Sequence, residues 1–125
     1  MHLLLDTHLF IWWLKDDRCL SKKARALIMD AEEVYISSIS IWEAAIKIQL
    51  KKLDVVMTTL VESIHNEGFI ELPLIAKHAA LIAQLPNYHG DPFDRILIAQ
   101  AISEPLRFLT ADKKLKQYSE LVEIV

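Results

Sequence analysis

Residues 3–8, LLLDTH, place a short apolar run directly before an aspartate near the start of the chain. Consecutive leucines without a polar interruption predict a strand that is buried on both faces, as the strands of parallel sheets are. Asp6 ends this run, and LFIWWL at 9–14 follows with the apolar character of a buried helix. The stretch therefore predicts a strand, a turn that carries a carboxylate, and a helix, which together begin an α/β fold.

The same alternation continues along the rest of the chain. Short runs rich in β-branched and aromatic residues predict further strands at 34–37, 69–74, 107–110 and 121–125. Helical patterns lie before, between and after them at 20–33, 38–53, 58–67, 75–85, 91–103 and 111–118. Strands that alternate with helices are joined by crossover connections, so we expect a mostly parallel sheet covered by helices on both faces.

Composition limits the class of protein. The chain has 125 residues, of which 53% are hydrophobic, so we expect one domain over residues 1–125 with a substantial core. A net charge of −3 argues against a protein held to nucleic acid by bulk charge alone. The single cysteine, the lack of a basic segment before Asp6 and the shortness of the run at 9–14 indicate a cytoplasmic protein without a signal peptide or membrane span.

Acidic residues occur where the predicted strands end. Asp6 follows the first strand, and Glu43 lies early in the helix after VYIS at 34–37. Asp94 lies in the first turn of the helix at 91–103, and Asp112 comes two residues after RFLT at 107–110. Because ligands of parallel sheets bind outside the carboxyl ends of the strands, these four acids are candidates for a common site.

Helix capping explains each acid equally well when it is taken alone. Ser40 and Glu43 have the spacing of a capping box, in which Glu43 would only accept from a backbone N–H. Asp91 before Pro92 is a good N-cap, and Asp94 would then favour the positive end of the helix dipole.

The position of Asp94 favours a chemical role. It is in line with Leu97, Ile98 and Ala101, so it heads an apolar face that should be buried. A buried carboxylate is costly unless it is paired or binds a metal, and several converging carboxylates would raise each other's pKa. A divalent cation would remove this conflict, and ligands that are all oxygen suit Mg²⁺ or Mn²⁺. We interpret Asp91 as the cap and Asp94 as the site residue.

Two lysines could add positive charge beside such a site. Ser40, Glu43, Lys47 and Lys51 are spaced to share one face of the helix at 38–53. Lys47 and Lys51 could therefore hold a phosphodiester and its neighbouring backbone. The alternative is an exposed face with an ordinary Glu–Lys pair.

In four segments the chain resembles a PIN domain of the VapC-type toxin family. The segments are LLLDTH at 3–8, SSISIWEAAIK at 37–47, DPFDRILIAQA at 91–101 and LTADKKL at 109–115. The resemblance covers the whole chain and implies a three-layer α/β/α sandwich. It also implies a ribonuclease that depends on Mg²⁺ or Mn²⁺, with the acids at Asp6, Glu43, Asp94 and Asp112 and supporting polar residues at Thr7 and Thr110.

The resemblance further implies a homodimer and a cognate antitoxin that blocks the acidic site. Two alternatives from other classes remain. One is a non-catalytic α/β domain whose acids only cap helices. The other is a receiver-type phosphoacceptor domain, which would have a lysine at the end of a late strand, where RFLT ends in Thr110.

Overall fold

The centre of the protein, in a computed structural model that describes residues 1–125, is a sheet of five parallel strands. The strands are β1 His2–Leu5, β2 Glu33–Ser37, β3 Ile70–Leu72, β4 Arg107–Thr110 and β5 Val122–Ile124. They lie in the order β3-β2-β1-β4-β5, so β1 is central. All five predicted strands are therefore present, and every pairing between them is parallel.

Six α-helices and two 3-10 helices connect the strands. The α-helices are α1 Thr7–Lys15, α2 Lys22–Asp30, α3 Ser38–Gln49, α4 Met57–Asn66, α5 Ala76–Leu81 and α6 Pro92–Ser103. The 3-10 helices span Ile82–Gln84 and Lys113–Tyr118. None of these helices combines the length and the apolar character that crossing a bilayer requires.

The leucines of β1 point alternately into two separate cores. Leu3 and Leu5 belong to the core formed with α1, α2 and α4, whereas Leu4 belongs to the core formed with α6 on the opposite face. All three have no solvent exposure, and burying each leucine contributes about 1.5–3 kcal/mol. Helices thus cover both faces of the sheet, which confirms the three-layer α/β/α sandwich.

The predicted helix at 38–53 was too long. Helix α3 ends at Gln49, and Lys51 adopts the left-handed backbone conformation with φ 59°. Leu53, which extended the apolar pattern, packs against the first core from outside the helix. Lys51 therefore does not continue the helical face that carries Glu43 and Lys47.

Candidate active site

The candidate site lies at the carboxyl edge of the sheet, between β1 and β4. The chain builds the sheet from β1 outward through β2 and β3 and then returns to add β4 and β5 on the other side of β1. Loops that leave two neighbouring strands in opposite directions open a crevice, which is where ligands bind in α/β sheets. Asp6 follows β1 and Asp112 follows β4 by two residues, so both are at this crevice.

Asp6 is held rigidly by its backbone and by both carboxylate oxygens. It is only 5% exposed, and its N–H donates to the carbonyl of Leu109 at 3.0 Å. One carboxylate oxygen accepts from the N–H of His8 at 2.6 Å and caps α1, and the other accepts from the hydroxyl of Thr110 at 2.8 Å. The capping interpretation is therefore correct for Asp6, but the residue also lines the crevice.

Thr110 joins two of the acidic positions. Its buried hydroxyl donates to Asp6 and accepts from the N–H of Asp112 at 3.1 Å. Asp112 in turn caps the 3-10 helix that follows it, because one of its oxygens accepts from the N–H of Lys114 at 3.0 Å. The second carboxylate oxygen of Asp112 remains directed toward the crevice, 3.9 Å from the ring of His89.

Asp91 and Asp94 occupy different positions at the start of α6. Asp91 is the N-cap of α6, with Pro92 at the first helical position, and accepts from the N–H of Phe93 at 2.9 Å. Asp94 is half-buried in the first turn of α6. Burial raises its pKa to about 7, and the negative charges of Asp91 and Asp6 add to the rise.

Glu43 is buried beside the crevice but does not line it. It is 7% exposed and forms an ion pair with Lys47 at 3.1 Å. Lys47 also contacts the ring of His8 at 3.3 Å, and His8 in turn contacts Asp6. The suggested capping box of Ser40 and Glu43 was wrong, because Ser37 is the N-cap of α3 and Glu43 lies beyond the first turn.

Thr7 acts at the junction of two helices rather than on an acid. Its hydroxyl donates to the hydroxyl of Ser40 at 2.8 Å, and both residues are buried. This bond ties the start of α1 to α3, which carries Glu43. The predicted supporting role of Thr7 at the site stays a prediction, and the contact that its hydroxyl makes is with Ser40.

Sequence reasoning missed His89. Its ring nitrogen lies 3.1 Å from a carboxylate oxygen of Asp94, and its pairing with Asp94 opposes the rise of that residue's pKa. One potential ligand atom from each of His89, Asp94 and Asp112 lies within 4.8 Å of the others. His89 lies in the loop before α6 and belongs to no metal-binding motif, so no pattern in the sequence indicated it.

We call the resulting concavity the acidic cleft. Its volume is about 260 Å³, and its lining residues are Asp6, His8, Trp12, Asp94, Ala111 and Asp112. Three of the four predicted acids thus meet in one cleft. The fourth, Glu43, contacts Lys47, which in turn contacts His8 in the wall of the cleft. A larger apolar cavity of about 380 Å³ lies nearby between α3 and α6, with Trp42 and Phe93 in its wall.

The fold is that of a PIN domain. The family model for the PIN domain matches residues 3–121, and the chain therefore belongs to this family. It is also 29% identical over 121 residues to Ribonuclease VapC22 of Mycobacterium tuberculosis, an alignment that covers 92% of this chain and 90% of that protein.

Solved structures show the same fold. The structure of VapBC2 from Rickettsia felis, bound to a DNA fragment from their promoter, matches with a TM-score of 0.74 at 17% identity and covers 98% of this chain and 96% of that one. FitAcB from Neisseria gonorrhoeae matches with a TM-score of 0.68 at 22% identity, again over 98% of this chain and 96% of that one. Membership of the PIN family sets the receiver-type alternative aside.

Proposed function

We propose that the protein is a metal-dependent endoribonuclease and the toxin of a type II toxin–antitoxin pair. The observation that carries the proposal is the meeting of Asp6, Asp94 and Asp112 in one cleft at the carboxyl edge of the sheet. Membership of the PIN family and similarity to a ribonuclease over nine-tenths of both chains support the same activity.

The residues of the acidic cleft fit a hard divalent cation. Asp6 is buried, and burial together with the charge of Asp6 raises the pKa of Asp94, so a cation bound between them would favour the ionised form of both. Carboxylate oxygens are the preferred ligands of Mg²⁺ and Mn²⁺. We assign Asp6, Asp94 and Asp112 as metal ligands, with Glu43 as the fourth acid and His89 as a neighbour that orients Asp94.

The chain's own contribution to catalysis is placement and charge. A bound cation supplies Lewis acidity, which activates water and offsets the charge that develops on the phosphate. Thr110 holds Asp6 and Asp112 in a fixed relation, and Thr7 holds α3 in place. Lys47, 3.1 Å from Glu43, is positioned to exchange that partner for a phosphate oxygen, which would free Glu43 for the acidic site.

Lys51 has weaker support than Lys47. It is exposed and lies after the end of α3, outside the acidic cleft. Its part in RNA binding stays a prediction that rests on charge alone.

The proposed partners are RNA, a cognate antitoxin and a second copy of the chain. The structural relatives include toxin–antitoxin complexes, and their similarity supports an antitoxin here. An apolar surface supports the homodimer: Trp42 is 58% exposed beside the cavity between α3 and α6, and Leu74 on its rim is 40% exposed. Action on cellular RNA would place the protein in the cytoplasm.

The test is cleavage of RNA by Asp6→Asn and Asp94→Asn variants. Asparagine caps helices as well as aspartate does, so Asp6→Asn should remain folded by circular dichroism. Because a catalytic cation stabilises the transition state by several kcal/mol, both variants should lose at least about a hundredfold in rate. Asp30→Asn, an exposed acid at the end of α2, is the matched control and should cleave normally.

Wild-type rates in both variants, or cleavage that EDTA leaves unchanged, would refute the assignment. The non-catalytic alternative has one observation in its favour, since Asp6, Asp91 and Asp112 all cap helices. Titration calorimetry with Mn²⁺ separates the two functions. A nuclease should bind the ion and lose binding in Asp94→Asn, whereas a protein whose acids only cap helices should release no heat.

A further inference from the structure

The acidic cleft continues into a second concavity of the same volume, about 260 Å³. His8 and Trp12 line both and form the wall between them. We call the second concavity the basic groove, because its charged lining residues are Lys15, Lys47, Lys52 and one acid, Asp17. The acidic cleft and the basic groove thus carry opposite charge on the two sides of His8 and Trp12.

Two of the three lysines in the basic groove are available to a ligand. Lys15 and Lys52 are exposed and form no ion pair, whereas Lys47 is paired with Glu43 at 3.1 Å and would have to exchange that partner. Asp17, by contrast, is engaged locally, because its carboxylate accepts from the N–H of Cys19 at 2.8 Å and closes a turn. An anion would therefore meet an excess of positive charge, although the whole chain is net acidic.

Trp12 is placed differently from its neighbour Trp13. The indole N–H of Trp13 donates to Glu67 at 2.7 Å, and its ring packs against Phe69. Trp12 is half-buried, and its ring lies 6.0 Å from that of His8, at the boundary of the two concavities. An aromatic face beside lysines is the combination by which proteins bind unpaired nucleotides, through stacking of a base and pairing with its phosphate.

We propose that the basic groove is a nucleotide subsite for single-stranded RNA, adjacent to the bond that is cleaved. A base next to the scissile phosphate stacks on Trp12, and Lys15, Lys47 and Lys52 bind phosphates of the neighbouring backbone. Bases in a duplex are already stacked on each other and cannot use such a platform, so the subsite selects unpaired substrate. This inference rests on the proposed nuclease function.

The test measures binding of a short, fluorescein-labelled single-stranded RNA by anisotropy in EDTA, so that affinity is read without cleavage. Trp12→Leu should bind about tenfold more weakly, whereas Trp12→Phe, which keeps an aromatic face, should stay close to the wild type. The double variant Lys15→Ala/Lys52→Ala should lower the slope of log K against log salt concentration by about 1.4. Lys22→Ala/Lys77→Ala removes two exposed lysines outside both concavities and should leave the slope unchanged.

Cleavage of the same RNA in Mg²⁺, measured separately, tells the two proposals apart. If the wild type cleaves and binds RNA but the Trp12 and lysine variants match it, the subsite is refuted and the nuclease function stands. If Trp12→Leu and Trp12→Phe bind RNA equally well while the lysine variants bind it more weakly, the groove binds anions without stacking. Such a groove would suit an acidic peptide, and the proposed nucleotide subsite is then also refuted. A wild type that neither binds nor cleaves RNA refutes both.

Discussion

Replacing Thr110 with valine removes one hydroxyl from the centre of the candidate site and leaves the shape of the side chain nearly unchanged. The hydroxyl donates to a carboxylate oxygen of Asp6 at 2.8 Å and accepts from the N–H of Asp112 at 3.1 Å. Thr110 has no solvent exposure, so water does not replace the hydroxyl at its own position. Both acids then lose the contact that relates them to each other.

The expected cost follows from these two hydrogen bonds. A hydrogen bond to a charged group, such as the one to Asp6, contributes about 1.5–3 kcal/mol. The N–H of Asp112 would lose its acceptor, and because water still reaches this half-buried residue, the loss adds about 1 kcal/mol. We therefore expect Thr110→Val to lower the free energy of unfolding by about 2–4 kcal/mol. Thr110→Ser keeps the hydroxyl and loses one methyl group, which should cost about 1 kcal/mol.

Urea denaturation of the metal-free protein measures the stability difference, and RNA cleavage in Mg²⁺ measures the effect on the site. At a temperature where both variants are folded, Thr110→Val should reduce cleavage more than Thr110→Ser does, because only Thr110→Val removes the hydrogen bond to Asp6. Equal stability and equal cleavage for the two variants would refute the idea that this hydroxyl organises the acids.

Four further outcomes test other parts of the structure. Burial raises the pKa of Asp94 from 3.8 to about 7, so the metal-free wild type should lose stability as pH rises across that interval. Asp94→Asn should therefore melt at the same temperature as the wild type near pH 4 and at a higher temperature than the wild type above pH 7. His89→Gln should raise the pKa of Asp94 further, measured by carbon-detected NMR titration, because the histidine opposes the shift; an unchanged value would contradict this role. Gln100→Leu removes the acceptor of the buried Ser37 hydroxyl and should lower the free energy of unfolding by about 1–3 kcal/mol in urea. Trp42→Lys should convert the proposed homodimer to a monomer by light scattering, whereas a persistent dimer would place the interface elsewhere.

Much of the fold could be predicted because buried strands leave a simple signal. LLL at 3–5 and RFLT at 107–110 are apolar enough to mark the central strands, and they correspond to β1 and β4. Helix ends were harder to predict where the stop depends on backbone conformation. The apolar pattern continued past Gln49, but the left-handed turn at Lys51 ended α3.

The position of a candidate site residue could be predicted where its neighbours in sequence fix the direction of its side chain. The apolar positions after Asp94 place it at the head of a buried face, and Pro92 separates its role from that of Asp91. The shape of a loop left no such signal, and it is this shape that brings His89 to Asp94 and Asp112. For Glu43 the spacing allowed both a cap with Ser40 and an ion pair with Lys47, and the structure forms the ion pair.

The hydrogen bond between Thr110 and Asp6 joins positions 104 residues apart. The strand that carries Thr110 follows β2 and β3 in the sequence, although it pairs with β1 on the side away from them. A chain still emerging from the ribosome would therefore lack part of the proposed catalytic centre until almost its whole length had been translated. Such an order of synthesis would protect the translating ribosome from a nuclease that it is still making, and it would confine the need for inhibition to finished molecules.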